Sequence, residues 1–213
     1  MPVSFLIYFN IKLLFVKFYL IKAHYWFWYK RFIKHIAFPS MRGKLLGDKV
    51  LVEEPEDLYE KSGFGEPREK GVELGLEEAL YLVERGKLTV HSNGEMLTFD
   101  QFFEEAKKFA FDIHVRFVVY GDLRNRGLVV RSGIKYGTHF RVYERGVRPK
   151  KGVRAPWEHA KYLVHALPEG WQFSLPELTR FVRLAHSVKK RLWIAIVDSE
   201  GDITYLQTTR LVP

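Results

Sequence analysis

The sequence predicts an α/β (α+β) chain in which two small domains follow an atypical N-terminal segment. Three observations support this prediction. Apolar residues recur at helical spacing in some segments and form short strand-like runs in others. Of the 213 residues, 47% are hydrophobic, which is enough to build a core. The charge also changes sign twice, from +6 over 1–40 to −7 over 41–112 and +10 over 113–213, and we divide the chain there.

The segment 1–40 differs from the rest in composition. It holds 13 of the 33 aromatic residues and six Lys or Arg residues without an acid. Lys12, Lys17 and Lys22 keep every apolar run shorter than the roughly 20 residues of a transmembrane helix. No secretory signal pattern is present either, so we expect a cytoplasmic protein. We interpret 1–40 as an N-terminal extension, a leader upstream of Met41; a helix lying on a membrane surface is the alternative.

The elements of the acidic domain, 41–112, follow from local patterns. Lys49–Val52 reads as a strand, and 54–75, rich in acids, Gly and Pro, as mostly irregular. Helical spacing begins at Leu76 and stops before Gly86. A strand at 88–90 leads into the Asn93-Gly94 turn. Thr98 and Gln101 form a capping box that opens a helix to about residue 111.

The basic domain, 113–213, is predicted to alternate helices and strands. We expect a helix over 113–125, strands over 127–131, 138–144 and 160–167, a helix over 175–190, and a closing hairpin of 192–198 and 202–208. In the last helix, Arg180, Arg183, Ser187 and Lys190 share one face at i, i+3, i+7 and i+10. No acid neutralises this stripe after Glu177, so it is a candidate phosphate-facing ridge; an ordinary solvated face is the alternative.

Several kinds of chemistry are excluded or disfavoured. The absence of Cys removes disulfides, thiolate metal sites and a Cys nucleophile. No phosphate-binding loop, dinucleotide fingerprint or zinc-protease motif appears. Only eight acids lie in 113–213, which disfavours two-metal phosphodiester cleavage. Metal-free RNA cleavage needs a base, an acid and a cation, and His, Tyr and Lys are all abundant there, although composition alone cannot choose among them.

The second half contains several specific strings. They are YGDLRNRGLVV at 120–130 and GIKYGTHFRVYERG at 133–146, followed by EH at 158–159, FVRLAHSVKK at 181–190 and AIVD at 195–198. These strings resemble the archaeal tRNA-splicing endonucleases, also called tRNA-intron endonucleases. The resemblance is close over 115–213 and looser over 41–112, through EEALYL at 77–82. It implies a catalytic subunit whose C-terminal domain is a mixed-sheet nuclease domain flanked by helices.

The resemblance also implies a catalytic set and a reaction. Tyr143 matches the family's general base on the ribose 2′-OH, His159 its general acid and Lys190 its transition-state cation. The implied substrate is precursor tRNA cut at bulge-helix-bulge sites, giving 2′,3′-cyclic phosphate and 5′-OH ends without metal or cofactor. Because a free tyrosine titrates near 10, a tyrosine that acts as a base near neutral pH needs cations nearby.

RNA contacts are implied at three arginines. Arg183 matches an arginine that stacks on a flipped-out bulge base, Arg180 belongs to the same ridge, and Arg210 is a second stacking candidate. One departure from the family pattern is the basic stretch 147–154, which lengthens the link between Tyr143 and His159. It either displaces His159 or adds an RNA-contacting loop.

The resemblance implies an oligomer, because two cuts need two active sites. Asp198, Glu200 and Asp202 match an acidic loop that inserts into a neighbouring subunit's basic cleft. The sequence leaves open a homotetramer or a heterotetramer with a second endonuclease subunit. A non-catalytic RNA-binding or structural subunit of the same assembly is the alternative function.

Overall fold

The computed structural model describes residues 41–55, 58–147, 155 and 158–211. These residues form two β-sheets and four α-helices. The interpretations of 1–40 concern residues outside this description, and so does most of the basic stretch 147–154, of which only Val147 is described.

The first sheet is built from the acidic part of the chain. Its strands are β1 Met41–Leu46, β2 Lys49–Val52, β3 Glu66–Arg68, β4 Gly71–Gly75, β5 Leu88–Ser92 and β6 Glu95–Leu97. They lie in the order β3-β4-β2-β1-β5-β6, and the β1–β5 pair is parallel. Two helices accompany them, α1 Leu76–Glu84 and α2 Phe99–Phe109.

The second sheet is built from the basic part. Its strands are β7 Val129–Ser132, β8 Phe140–Tyr143, β9 Tyr162–Pro168, β10 Arg191–Val197 and β11 Ile203–Thr208. They lie in the order β11-β10-β9-β8-β7, and β9 and β10 are parallel. Helix α3, Ile113–Asn125, precedes the sheet, and α4, Leu175–Ser187, connects β9 to β10. A short 3-10 helix, Ile134–Tyr136, lies between β7 and β8.

One hydrophobic cluster spans both sheets. Its buried members come from the first sheet and the loop before β3, from α1, α2 and α3, and from one face of the second sheet. Tyr81 of α1 and Tyr120 of α3 meet edge to face, with ring centroids 5.7 Å apart. A smaller cluster fills the space between α4 and the other face of the second sheet. This larger core contains residues from both sides of residue 112, so it does not mark a domain boundary there. The predicted boundary after residue 112 stays a prediction.

The fold class predicted from the sequence is confirmed, and so are most elements. Gly86 has the left-handed φ of 63° expected just after α1, and Asn93 and Gly94 both have positive φ, as a tight hairpin turn requires. Thr98 and Gln101 form both arms of the predicted capping box. Helix α3 spans the predicted 113–125.

Some strands of the first sheet were not predicted. The described residues of 54–75 lie mostly outside helices and strands, as expected, but the segment also contains β3 and β4, and β1 was not predicted either. Strand β3 has only three residues, too few to reveal a period of two. In β3, the sequence Glu-Pro-Arg also looks like a loop; Pro67 is tolerated because β3 is an edge strand of the sheet.

The helix predicted over 175–190 ends at Ser187, so Lys190 does not lie on the helical stripe. Lys189 has φ 54°, the left-handed conformation that closes a helix. The Lys190 amide donates to the Ala185 carbonyl at 2.9 Å and the Lys189 amide to the His186 carbonyl at 3.0 Å. These two bonds form a Schellman motif, which turns the chain off the helix just before Lys190.

Candidate active site

The three candidate catalytic residues lie at one edge of the second sheet. Tyr143 is the last residue of β8, His159 comes three residues before β9, and Lys190 immediately precedes β10. Strand β8 is antiparallel to β9, and β9 is parallel to β10. The carboxyl end of β8 therefore meets the amino ends of β9 and β10, which places the three residues at the same edge.

Lys161 ties this edge together through its backbone. Its amide donates to the carbonyl of Val142 at 2.9 Å, and its carbonyl accepts from the amide of Arg191 at 3.0 Å. Tyr143, Lys161 and Lys190 thus form a row across three neighbouring strands. At about 4.8 Å between neighbouring strands, the Tyr143 and Lys190 backbones are roughly 10 Å apart, within reach of two long side chains that converge.

The three side chains differ in exposure. Tyr143 is 1% exposed, although it belongs to neither hydrophobic cluster. His159 is exposed. Lys190 is half-buried, and its Nζ donates to the carbonyl of Ala160 at 2.8 Å, which brings the Lys190 ammonium next to the residue that follows His159.

The surroundings of Lys190 lower the pKa of its ammonium group. Burial lowers the pKa of Lys190, and the positive charge of Arg141 lowers it further. The ammonium also lies 5.8 Å from the centroid of the Tyr136 ring, at the end of the 3-10 helix. Lys190 is therefore held in a fixed, partly desolvated position beside the edge that carries Tyr143 and His159.

The candidate RNA-binding arginines lie on α4 and in the C-terminal tail. Arg180 and Arg183 are exposed on α4, and the Arg180 guanidinium lies 5.2 Å from the centroid of the Phe181 ring. Arg210 is exposed in the C-terminal tail and lines an open groove of about 580 Å³ that also includes Lys190. Of these three arginines, Arg210 shares this groove with Lys190, whereas Arg180 and Arg183 lie on α4, which ends before Lys190.

The acidic turn after β10 is organised by its own first residue. The Oδ1 of Asp198 accepts from the amides of Glu200 at 3.0 Å and Asp202 at 2.9 Å. Glu200 and Asp202 are exposed. Asp198 thus shapes the turn, and the other two acids project from it.

Sequence reasoning missed two side chains that share a face with Tyr143. His139, Arg141 and Tyr143 follow one another at every second position, so they lie on the same face of β8 and its extension. The Nε2 of His139 lies 3.2 Å from the Oδ2 of Asp112, and its Nδ1 accepts from the Ala166 amide at 3.0 Å. The polar/apolar alternation of His-Phe-Arg-Val-Tyr was the available signal.

The described residues contain no group of three or more His, Asp or Glu side chains arranged to hold a metal ion. The sequence-based expectation that the reaction needs no metal or cofactor stays a prediction. Within the same residues, no helix combines the length and apolar character needed to cross a bilayer.

Comparisons with known proteins identify the family of this chain. Residues 41–103 match a family described as tRNA intron endonuclease, N-terminal domain, and residues 113–205 match tRNA intron endonuclease, catalytic C-terminal domain. The second match includes Tyr143, His159 and Lys190, and the two matches together cover most of the chain. The class is therefore an endonuclease with the N-terminal and catalytic domains of this family.

Individual relatives give the same result. The tRNA-splicing endonuclease of Thermococcus onnurineus is 39% identical over 165 residues, which cover 76% of this chain and 91% of the relative. That of Thermococcus kodakarensis is 40% identical over 166 residues, covering 76% and 92%. In Methanosarcina mazei the relative is longer: 37% identity over 175 residues covers 81% of this chain and 47% of the relative. The chain belongs to the tRNA-splicing endonuclease family, as the sequence strings predicted.

Proposed function

We propose that this protein is the catalytic subunit of a tRNA-intron endonuclease, which cuts precursor tRNA at bulge-helix-bulge sites. The observation that carries the proposal is the common sheet edge, at which a tyrosine, a histidine and a lysine from three different segments lie. Each segment is fixed by backbone hydrogen bonds through Lys161. The family match includes all three positions.

The proposed reaction is attack by the ribose 2′-oxygen on the adjacent phosphorus. Tyr143 takes the 2′-OH proton, the bond from phosphorus to the 5′-oxygen breaks, and His159 gives that oxygen a proton. Lys190 stabilises the extra negative charge of the phosphorane. The products are a 2′,3′-cyclic phosphate and a 5′-hydroxyl, and the step uses no metal.

The environment of each group supports its role. His159 is exposed, as a proton donor to a bound RNA strand must be. Lys190 is held by Ala160 within the site, so little of its side-chain freedom remains to be lost on binding. Tyr143 is 1% exposed, so the proposal requires that RNA binding uncover its hydroxyl.

We further propose that Arg183, Arg180 and Arg210 contact the RNA around this edge. Exposed guanidinium planes can stack on the unpaired bases of a bulge and neutralise its phosphates. The groove shared by Arg210 and Lys190 supplies a route from the reacting phosphate to the flanking strand. Removal of any one of these arginines should weaken RNA binding more than it slows the bound reaction.

We propose an oligomeric enzyme, a homotetramer or a heterotetramer with a second endonuclease subunit, in the cytoplasm. The turn that presents Glu200 and Asp202 is the proposed subunit contact, because exposed acids held on a tight turn suit a basic cleft on a neighbour. Charge reversal at these two positions should lower the mass of the particle in solution.

The decisive experiment is cleavage of a bulge-helix-bulge RNA in the presence of EDTA, with analysis of the product ends. We expect cleavage under these conditions and the cyclic phosphate and 5′-hydroxyl ends, with a fully paired RNA of the same length left intact. The combined change Tyr143→Phe, His159→Ala and Lys190→Ala should abolish cleavage. A requirement for divalent metal, or cleavage by the triple variant, would falsify the mechanism.

One observation favours a second candidate, a non-catalytic RNA-binding or structural subunit of the same assembly. The near-complete burial of Tyr143 is unlike a base waiting for substrate. Under this alternative, the pure chain binds the RNA without cutting it, and cleavage that appears on adding a partner subunit survives the triple substitution in this chain.

A further inference from the structure

Two arginines face each other next to Tyr143. In the β7–β8 ladder, Arg131 is directly opposite Arg141, and Val129 is opposite Tyr143. Arg131 is 4% exposed, and the Arg141 side chain is 15% exposed. Like charges directly opposite one another destabilise a strand pair, so this arrangement needs compensation from elsewhere.

The compensation comes from one segment of the first sheet region, residues 59–66. Arg131 donates to the carbonyl of Gly65, and its guanidinium lies 4.9 Å from the centroid of the Tyr59 ring. Arg141 donates from Nη2 to the Oε1 of Glu66 at 3.0 Å. The two opposed arginines are thus held by neighbouring residues of the same segment.

That segment is itself anchored. The buried carboxylate of Glu78 accepts from the Gly65 amide at 3.1 Å and from the Gly75 amide at 3.0 Å. Arg124 donates to the Ser62 carbonyl at 2.8 Å. The position of Arg141 therefore depends on a part of the chain more than 70 residues away in sequence.

Arg141 also lies one row from the candidate catalytic residues. On the α4-facing side of the sheet, Arg141 is opposite Leu163, and Leu163 is opposite Leu192. The next row is Tyr143, Lys161 and Lys190. The Nε of Arg141 is buried and has no hydrogen-bond partner among the described residues, so Glu66 supplies the one carboxylate bond seen for this guanidinium there.

We propose that Arg141 is a positioning residue of the active site, and that Glu66 controls how much of its charge reaches Tyr143 and Lys190. This inference rests on the proposed function for its catalytic consequence. Its geometric content is independent of that function: a residue of the first sheet neutralises, across the junction, a cation placed beside the reacting edge. The N-terminal region thus takes part in the electrostatics of the site.

Other charges around Lys190 do not duplicate this role. His186 and Lys189 at the end of α4, Arg191 of β10 and Arg210 of the tail are all basic and exposed. On the side of β9, His159 is exposed, and Lys161 is paired with Glu144, while Glu158 binds the Ala155 amide through Oε2 at 3.0 Å. The Arg141–Glu66 pair joins the half-buried Arg141 to the other sheet, so it can be changed without altering this end of the second sheet.

The first test measures the pKa of Lys190 in the full, RNA-free chain. The NMR signals of ¹³C-labelled lysine side chains are recorded during a pH titration. Arg141→Met should raise the Lys190 pKa, because a nearby cation is lost. Glu66→Gln should lower it, because Arg141 loses its counter-charge. Each shift should be roughly 0.3 to 1 unit. Arg141→Lys should stay near the wild-type value.

Glu73→Gln is the matched control. Glu73 lies directly opposite Glu66 in the β3–β4 ladder, but its carboxylate pairs with Arg68 at 2.7 Å instead of with Arg141. The Glu73→Gln change removes one negative charge from the same sheet, as Glu66→Gln does, but not the partner of Arg141. The pKa of Lys190 should therefore stay unchanged. Shifts of equal sign in Arg141→Met and Glu66→Gln, or no shift in either folded variant, overturn the inference.

The second test is the pH dependence of cleavage of bulge-helix-bulge RNA. Arg141→Met should lower kcat/KM by roughly 10- to 100-fold. It should also move the alkaline limb of the pH profile of kcat/KM to higher pH. Glu66→Gln should move the limb to lower pH, and Arg141→Lys should restore most of the activity. A loss of thermal stability with an unmoved pH profile marks a purely structural pair and contradicts the inference. If the wild-type chain cuts no RNA, the proposed function fails, and the NMR titration alone decides the inference.

Discussion

The two faces of the second sheet are made by alternate residues of the same strands, yet they differ in kind. The face toward α3 is apolar and closed: Val142, Val164 and Ala195 are fully buried in the large cluster. The face toward α4 carries His139, Arg141 and Tyr143 along a single strand. One face holds the two sheets together, and the other carries the groups capable of proton transfer.

Helix α4 explains how the second face tolerates this polarity. A small apolar cluster that includes Leu163, Phe181 and Leu192 seats the helix on the middle of the sheet. Polar groups remain at both ends, with Tyr143 and Lys190 at one end and His139 at the other. Because apolar burial is confined to the middle, changes at the ends should affect chemistry and titration more than folding.

The largest expected effect separates the two faces with one chemical change. Tyr143 and Tyr120 are both 1% exposed, and Tyr120 packs on the α3-facing side, with its ring 5.8 Å from that of Phe140. Tyr143→Phe should lower kcat by about 10²- to 10⁴-fold, because it removes the proposed general base, with a stability change within about 0.5 kcal/mol. Single-turnover cleavage and thermal unfolding measure the two effects.

Tyr120→Phe is the control for that prediction. The Tyr120 hydroxyl is buried without a hydrogen-bond partner among the described residues. Its removal should stabilise the protein by about 1 kcal/mol, because the folded state no longer has to desolvate that hydroxyl, and should leave cleavage unchanged. Equal losses of activity in both variants would contradict the expectation that Tyr143, and not Tyr120, takes part in the reaction.

The same comparison shows how much the sequence could predict. The alternation in His-Phe-Arg-Val-Tyr is enough to place Tyr143 and Arg141 on one face of β8. The family strings were enough to select Tyr143, His159 and Lys190 as candidates. What local patterns could not supply was the partner of Arg141, because Glu66 lies 75 residues away in a strand too short to recognise.

The position of Lys190 was also beyond local patterns. The helical spacing of Arg180, Arg183 and Ser187 continues formally to Lys190, but the chain leaves the helix at Val188, the C-cap of α4. The cause is a left-handed Lys189, a conformation that favours Gly, so no residue type announces the helix end. Arg180 and Arg183 are exposed on α4, as the spacing predicted, whereas Lys190 lies beyond the end of the helix. That the ridge faces phosphate stays a prediction.

The next largest effect is expected at the opposite end of the α4-facing side. Burial, the stacked His165 and the charge of Arg116 lower the pKa of His139 to about 4, against the effect of Asp112. The unfolded chain therefore binds a proton at His139 between about pH 6.5 and 4, where the native state does not. Stability should fall by about 3 kcal/mol as the pH drops through this window.

His139→Asn tests this account by denaturant unfolding at several pH values. The Asn amide oxygen can replace Nδ1 as acceptor for the Ala166 amide and does not titrate. The variant should lose less stability than the wild type between pH 6.5 and 4. Burial also lowers the pKa of His165, so a shallower acid-dependent loss should remain. A wild-type slope in the variant would show that His139 does not carry the effect.

The smallest expected effect concerns the turn that places Lys190. Lys189 has φ 54°, which costs a non-glycine residue about 1 kcal/mol or more, so Lys189→Gly should stabilise the protein by roughly 0.5 to 1 kcal/mol. Ser187→Gly, two residues earlier in the right-handed last turn of α4, should instead destabilise it by a similar amount, because Gly gains freedom in the unfolded chain. Opposite signs for one replacement on either side of the C-cap, measured as shifts in Tm, would locate the end of α4 in solution. Equal signs would mean that the helix continues to Lys190 as the sequence spacing predicted, which would turn the lysine onto the outer ridge and away from the edge that holds Tyr143.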